Sequence, residues 1–159
     1  MMNAELQNHA AAITATPWIH AATTVDFAAA SAFLSSAGLP TADLAASAPY
    51  LWIARASTDV AGIVGLEVYG TAGLLRSLAV AVGSRRDGLG TRLVDRAEQE
   101  ARGLGLAELV LLTETAAEFF AGLGYRVVAR ESVPAAIRSS EQFRALCPDS
   151  AICMRKAFA

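Results

Sequence analysis

Between residues 77 and 91 the chain reads Ser77-Leu78-Ala79-Val80-Ala81-Val82-Gly83-Ser84-Arg85-Arg86-Asp87-Gly88-Leu89-Gly90-Thr91, an apolar strand candidate that runs through a glycine-punctuated turn into a long amphipathic segment. That order forces a strand-to-helix corner. Glycine lacks a Cβ and tolerates positive φ, so the Arg85-x-x-Gly88-x-Gly90 core lets the main chain approach a ligand and turn its N–H groups toward an anion. The helix that starts there adds its unpaired first-turn N–H groups and the positive end of its dipole at the same spot. A phosphate pocket is the expectation, beside the plainer alternative that the glycines only close a turn. Neither the GxxxxGK[ST] lysine nor the GxGxxG spacing is present, which argues against P-loop and dinucleotide folds.

Apolar spacing supplies the rest of the frame. Residues 1–12 have little periodicity and read as a flexible leader, ahead of a domain over 13–159. Ile13 to Ala22 reads as a first strand, placed at an edge by Pro17. Phe27, Ala30, Phe33, Leu34 and Ala37 recur at helical spacing and stop at Gly38, and a further short helix is expected over Thr41 to Ala46. Tyr50 to Arg55 and Val60 to Tyr69 form a hairpin around Ser57-Thr58-Asp59, and Leu74 to Val82 is the next strand. Leu89, Leu93, Ala97, Ala101 and Leu104 mark an amphipathic helix ended by Gly103 and Gly105. Leu109 to Leu112 is continuously apolar, as in a strand buried on both faces, and its place after strand and helix predicts a right-handed βαβ unit. A short helix from Ala116 to Leu123, a strand from Tyr125 to Val128, helical pieces at Pro134 to Ile137 and Phe143 to Leu146, and a last strand from Ala151 to Arg155 complete the order. The sheet is therefore mixed, in a fold of the α/β (α+β) class, with Trp18 and Trp52 expected in the core.

Composition narrows the function. Hydrophobic residues make up 54% and charged residues 18%, which favours a compact fold over disorder. No stretch approaches the roughly 20 apolar residues of a membrane span. Met1-Met2-Asn3-Ala4-Glu5 has no basic cluster before an apolar run, so a secretory signal is not expected and the cytoplasm is the default location. Thirteen Lys and Arg against fifteen Asp and Glu leave a net charge of −2, a poor match to nucleic acid. Cys147 and Cys153 are too few for a disulfide framework, and buried apolar thiols are the favoured reading of both. His9 and His20 lack ligand spacing, so no metal is expected.

At Arg85, Gly88 and Gly90 the chain resembles the GNAT superfamily of acetyl-CoA-dependent N-acetyltransferases, whose motif after a strand is [Arg/Gln]-x-x-Gly-x-[Gly/Ala]. Ala117-Glu118-Phe119-Phe120-Ala121-Gly122-Leu123-Gly124-Tyr125 resembles that family's second landmark, a short helix ending in Leu-Gly-aromatic. The tail, with Pro134-Ala135-Ala136-Ile137-Arg138, Leu146-Cys147-Pro148 and Cys153-Met154-Arg155-Lys156, is similar to a subgroup of arsenic-resistance N-acetyltransferases. The resemblance implies a single-domain fold with a mostly antiparallel sheet of six to seven strands flanked by helices. It also implies acetyl-CoA as cosubstrate and a small-molecule amine as acceptor, with an amino-acid-like or organoarsenical compound in view. No nucleic acid or membrane partner follows, and a homodimer stays open.

The same resemblance distributes the site. The Leu78, Ala79 and Val80 backbone would pair with the pantetheine arm, and Arg85, Arg86, Asp87, Gly88, Leu89, Gly90 and Thr91 would take the pyrophosphate. Glu67, in an apolar strand where burial raises a carboxyl pKa, is the first candidate for general base, against a strand-end ion pair with Arg76. Glu114 is the second candidate. Arg76 is costly to bury alone, and its guanidinium fork suits an acceptor carboxylate or a salt bridge to Glu67. Arg138 is a weaker anion contact, and Ser77 and Thr113 are candidate polar contacts. Phe120 stands at the cofactor pocket where many family members carry the tyrosine that protonates the leaving thiolate, so a non-catalytic acyl-CoA-binding sensor is the rival function. A peptide or protein N-terminal acetyltransferase is a third.

Overall fold

The computed structural model of the chain describes residues 16–44 and 50–159. The expected leader, His9, the start of the first strand and the end of the expected Thr41 to Ala46 helix lie outside those residues. Seven strands form one sheet in the order β1-β2-β3-β4-β5-β7-β6: β1 (Trp18–Ala21), β2 (Tyr50–Ala56), β3 (Asp59–Tyr69), β4 (Ala72–Val80), β5 (Glu108–Thr113), β6 (Arg126–Val127) and β7 (Ile152–Ala157). Every neighbouring pair is antiparallel except β4 and β5. The parallel pair is the one bridged by a helix, as the strand-helix-strand order in the sequence predicts.

Helices cover both faces of the sheet. On one face, α2 (Leu89–Gly103) buries Leu89, Leu93, Ala97 and Ala101 against Trp52, Val64, Leu66 and Leu75, with α3 (Ala117–Gly122) beside it through Phe120. Fully burying one such leucine is worth about 1.5–3 kcal/mol, so this stripe fixes the rotation of α2 about its axis. On the other face, α1 (Phe27–Ser36) packs Ala30 and Leu34 on Leu51, Ile53 and Ile63. The four-residue α4 (Ala135–Arg138) sets Ile137 against Leu74, Val110 and Cys153. Between these two apolar clusters, the second face carries a polar group that forms the floor of the site described below.

Several local expectations shift. Trp18 is 54% exposed rather than core, because β1 is a four-residue edge strand whose outer positions have no covering layer; its ring stacks on His20 at 4.5 Å. Trp52 is buried, as expected. The strand expected over Tyr125 to Val128 shrinks to two residues paired with Arg155 and Met154, since Tyr125 turns into the core. The helical piece expected over Phe143 to Leu146 is a π turn, Gln142–Leu146.

Candidate active site

The site begins with a register error between strands. β4 pairs with β5 only at Ala72, Gly73 and Leu74, while its ladder with β3 continues to Val80. That ladder shifts register by one residue, from Gly65 opposite Arg76 to Ile63 opposite Ala79. The extra residue bulges β4 at Ser77, whose φ of 58° is left-handed and unusual for a side chain other than glycine's. Past the bulge β4 and β5 part, and the gap is a cavity of about 520 Å³ lined by Arg76, Ser77, Leu78, Thr113, Glu114 and Phe120 among others. The edge of β4 that faces β5 thereby has no strand partner among the described residues over Leu78, Ala79 and Val80.

Downstream of that edge the chain makes a 3₁₀ turn at Val82–Ser84 and enters α2. Gly88, the residue before the helix, has φ 78°, and a Cβ there would meet nothing within 4 Å, so glycine is required by conformation and not by space. Gly90 serves differently: its absent Cβ would lie 3.3 Å from Phe119 Cζ, so it makes room for α3. Arg85 Nε donates to the Val80 carbonyl at 3.1 Å, which ties the loop to the end of β4, and Arg86 is left-handed at φ 74°. No side chain caps α2, and the first intrahelical bond there runs from Arg92 N–H to Gly88 O. The N–H groups of its first turn therefore point out of the helix with no intrahelical acceptor.

The floor beneath the bulge is ionic. Arg76 donates to Asp43 through both terminal nitrogens at 2.6 and 2.8 Å, to Glu67 Oε2 at 3.4 Å, and through Nε to Ser77 Oγ at 3.0 Å. Tyr69 O–H donates to Glu67 Oε1 at 3.2 Å. Burial tends to push the Asp43 carboxyl up, but the Arg76 hydrogen bonds and charge outweigh it and hold it below the ordinary range. Burial and the Glu67 charge together push Tyr69 up to about 12. Arg76, Asp43 and Glu67 are all buried, the arrangement in which each partner's charge depends on the others.

A family model for the acetyltransferase (GNAT) domain matches residues 47–127, half of the chain. The chain belongs to the GNAT acetyltransferase family. An amino-acid acetyltransferase of Pseudomonas aeruginosa (strain LESB58) is 41% identical over 73 residues, which cover 46% of this chain and 17% of that protein. The chain thus spans about a sixth of the length of the curated relatives it matches. N-acetylglutamate synthase from Neisseria gonorrhoeae, solved with coenzyme A and N-acetyl-glutamate, superposes with a TM-score of 0.77 at 20% identity over 91% of this chain and 36% of that one. The Mycobacterium tuberculosis protein Rv2747, solved with CoA, gives 0.76 at 24% identity over 90% and 100%. A GNAT-family acetyltransferase from Staphylococcus aureus gives 0.76 at 15% over 91% and 100%. These likenesses carry the GNAT fold, including the mostly antiparallel seven-stranded sheet.

Within the GNAT frame the second landmark closes the far wall. Phe120 lines the cavity and meets Phe119 and Tyr125 edge-on at 5.1 and 5.5 Å. Tyr125 is turned away: its O–H donates to the buried Glu98 at 3.0 Å, and Lys156 Nζ holds the same carboxylate at 2.9 Å. Burial, with the Glu98 charge, pushes the Tyr125 phenol far above its ordinary value. Thr113 Oγ1 accepts the Ala116 N–H at 3.0 Å and caps the turn into α3. Glu114 is exposed at the cavity wall, whereas Glu67 lies in the ionic floor and is absent from the lining. Arg138 is exposed at the end of α4, away from the lining.

Asp43, Tyr69 and Gln142 belong to this site, and sequence reasoning passed over all three. Asp43 follows a helix C-terminus in a short polar stretch, and Gln142 lies in a segment of weak periodicity. Only the buried Arg76, which demands a partner, signalled that an acid had to come from elsewhere in the chain.

Proposed function

We propose that the protein transfers the acetyl group of acetyl-CoA to the primary amine of a small, amino-acid-like molecule. The observation that carries this is the cleft beside the Ser77 bulge, lined by β4, the end of β5 and Phe120, with the glycine-turned start of α2 following on the same strand. The residues fit the cosubstrate. The β4 edge at Leu78, Ala79 and Val80, which β5 does not pair, is suited to an extended amide-bearing arm in the manner of an added strand, with Arg85 Nε on the Val80 carbonyl at its far end. The Arg85 N–H is taken by the Val82 carbonyl, but the N–H groups from Arg86 to Thr91 and the positive end of α2 suit a pyrophosphate, with Arg86 adding charge. Acetyl-CoA supplies the activated carbonyl; the chain orients it, excludes water and moves protons.

In the transfer a new C–N bond forms at the carbonyl as the C–S bond breaks, the amine gives up one proton and the thiolate takes one. Glu67, in an apolar strand, is a candidate proton acceptor, but its two oxygens already receive hydrogen bonds from Arg76 and Tyr69. Among the described residues Glu114 is the one carboxylate in the cavity lining, so proton removal falls to Glu114, and Glu67 acts by fixing Arg76. Ser77 and Thr113 each offer a hydroxyl hydrogen to the cavity, since the bonds they make use their oxygens as acceptors. One of them takes the donor role that Phe120 cannot.

The rival is an acyl-CoA-binding sensor without turnover, favoured by one observation: a phenylalanine lines the cavity where many relatives have a tyrosine. An organoarsenical acceptor is a narrower form of the main proposal, resting on the tail alone. Burial pushes both Cys147 and Cys153 thiols up, which disfavours the thiolate a metalloid would bind.

The test is CoA-thiol release and product mass with a panel of amino acids, amino-acid amides and arsenic-containing analogues. Turnover with one acceptor class is expected; acetyl-CoA binding without turnover across the panel would move the assignment to the sensor. With a working acceptor, Glu114→Gln should lower kcat about 100-fold with acetyl-CoA affinity intact. If Glu67→Gln does so instead, with the fold intact, the base is Glu67.

A further inference from the structure

One wall of the cavity comes from the chain beyond α4: Cys147, Pro148 and Ala151 line it. β7 starts at Ile152, which pairs with Thr113, the last residue of β5. The Pro148–Ala151 turn therefore stands at the end of β5, where Glu114 follows, on the side of the gap away from β4. An amine brought to Glu114 meets this wall, while the arm of the cosubstrate is expected along β4.

Little within the turn fixes it. Among the described residues a single backbone bond closes it, from the Ala151 N–H to the Pro148 carbonyl at 3.0 Å, and proline has no N–H to add another. Arg130 supplies the rest. Its Nη2 donates to the Pro148 carbonyl at 2.8 Å and to the Ala151 carbonyl at 3.0 Å, so one charged nitrogen spans both ends of the turn. Its guanidinium also stands 6.0 Å from the centre of the Phe143 ring. Arg130 is anchored in turn. It opens a 3₁₀ turn, Arg130–Ser132, which is tied to β7 by the Val128 N–H on the Cys153 carbonyl at 2.9 Å and by Arg155 Nη1 on the Ser132 carbonyl at 3.2 Å. Charged donors make the stronger hydrogen bonds, and a donor already held in place loses less freedom in making them.

We propose that Arg130 is a positioning residue for the acceptor: it pins the Pro148–Ala151 turn where that turn closes the cavity beside Glu114, and so sets acceptor affinity through the wall. The proposal rests on the acetyl-transfer reading above and deepens it. Cys147 lies in the same wall, half-buried, and reports on it without turnover. Burial pushes its thiol up, and the Arg130 charge pulls against that. Loss of the charge alone would slow alkylation of Cys147, whereas release of the wall would speed it.

The experiment compares wild type, Arg130→Met and Arg130→Lys in steady-state kinetics with a working acceptor, and in iodoacetamide labelling read by peptide mass at Cys147. Arg130→Met should raise the acceptor KM by about tenfold and leave the KM for acetyl-CoA unchanged. It should also label faster at Cys147. Arg130→Lys, whose ammonium can donate to both carbonyls, should restore most of the acceptor affinity and the slow labelling. An unchanged acceptor KM, a rise matched by the KM for acetyl-CoA, or a lysine variant as impaired as the methionine one overturns the proposal. Labelling of Cys147 that is unchanged or slower in Arg130→Met overturns it as well. If no amine is acetylated, the transferase reading fails, and the labelling still decides whether Arg130 holds the wall. Should Arg130→Met not fold, Arg130→Gln, which is shorter by two atoms, is read in the same way.

Discussion

The loop that leads from β4 into α2 and the polar floor of the cleft are built by different means. Ser77–Thr91 supplies the first almost by itself: a bulged strand edge, a left-handed Gly88 and an uncapped α2, all main-chain features. The floor is made of side chains from separate parts of the chain, Asp43 after α1, Glu67 and Tyr69 on β3, Arg76 on β4 and Gln142 beyond α4. A main-chain site is a local property of spacing and φ, whereas a side-chain site exists only once the sheet has brought its parts together. The first tolerates side-chain change and fails with backbone change; the second does the reverse.

The sharpest way to break that contrast is Arg76→Met. It removes the guanidinium that joins the buried Asp43 and Glu67, and breaking a buried pair in this way costs about 3–5 kcal/mol. Urea denaturation should show the loss, with a Tm lower by roughly 6–20 °C for a domain of this size. A change below about 1 kcal/mol would mean that water reaches the floor and that Arg76 is not what holds it.

The loop side should answer to backbone chemistry. Gly88→Val puts a β-branched residue at φ 78°, which costs about 1–2 kcal/mol, and it should weaken acetyl-CoA binding by tenfold or more. Gly88→Asn should keep most of the affinity, because asparagine enters the left-handed region far more readily. Since nothing stands within 4 Å of the missing Cβ, a loss that is equal in the two variants would point to contact with the ligand, not to conformation.

This division also explains what could be read without the fold. The strand-turn-helix corner, the amphipathic α2 and the parallel β4–β5 connection follow from periodicity and glycine placement, which are local. The Ser77 bulge does not, because no glycine marks it and its left-handed backbone is set by pairing with β3. Glu67 and Arg76 were recognisable as a buried acid and a buried base in neighbouring strands. The direction of the Arg76 fork was not, since Asp43 lies 33 residues upstream and nothing in its surroundings sets it apart. Trp18 shows the converse error: a large apolar ring suggests a core position, but an edge strand has nothing to bury it against.

The smallest expected effect tests whether the floor is ionic at all. Asp43 has its carboxyl held below the ordinary value of 3.8, so its charge contributes stability in full above that value, and the contribution is lost as pH falls through the lower folded-state value. Between pH 5 and 8 this group should give no slope. Asp43→Asn keeps one oxygen for Arg76 and removes the charge, so at pH 7 it should be less stable than wild type by about 1 kcal/mol. The gap should narrow only below about pH 4, as the wild-type carboxyl takes up its proton. A gap that persists to pH 2 would assign Asp43's contribution to shape and hydrogen bonding alone. The floor would then differ from the loop side in where its residues come from, and not in the force that holds it.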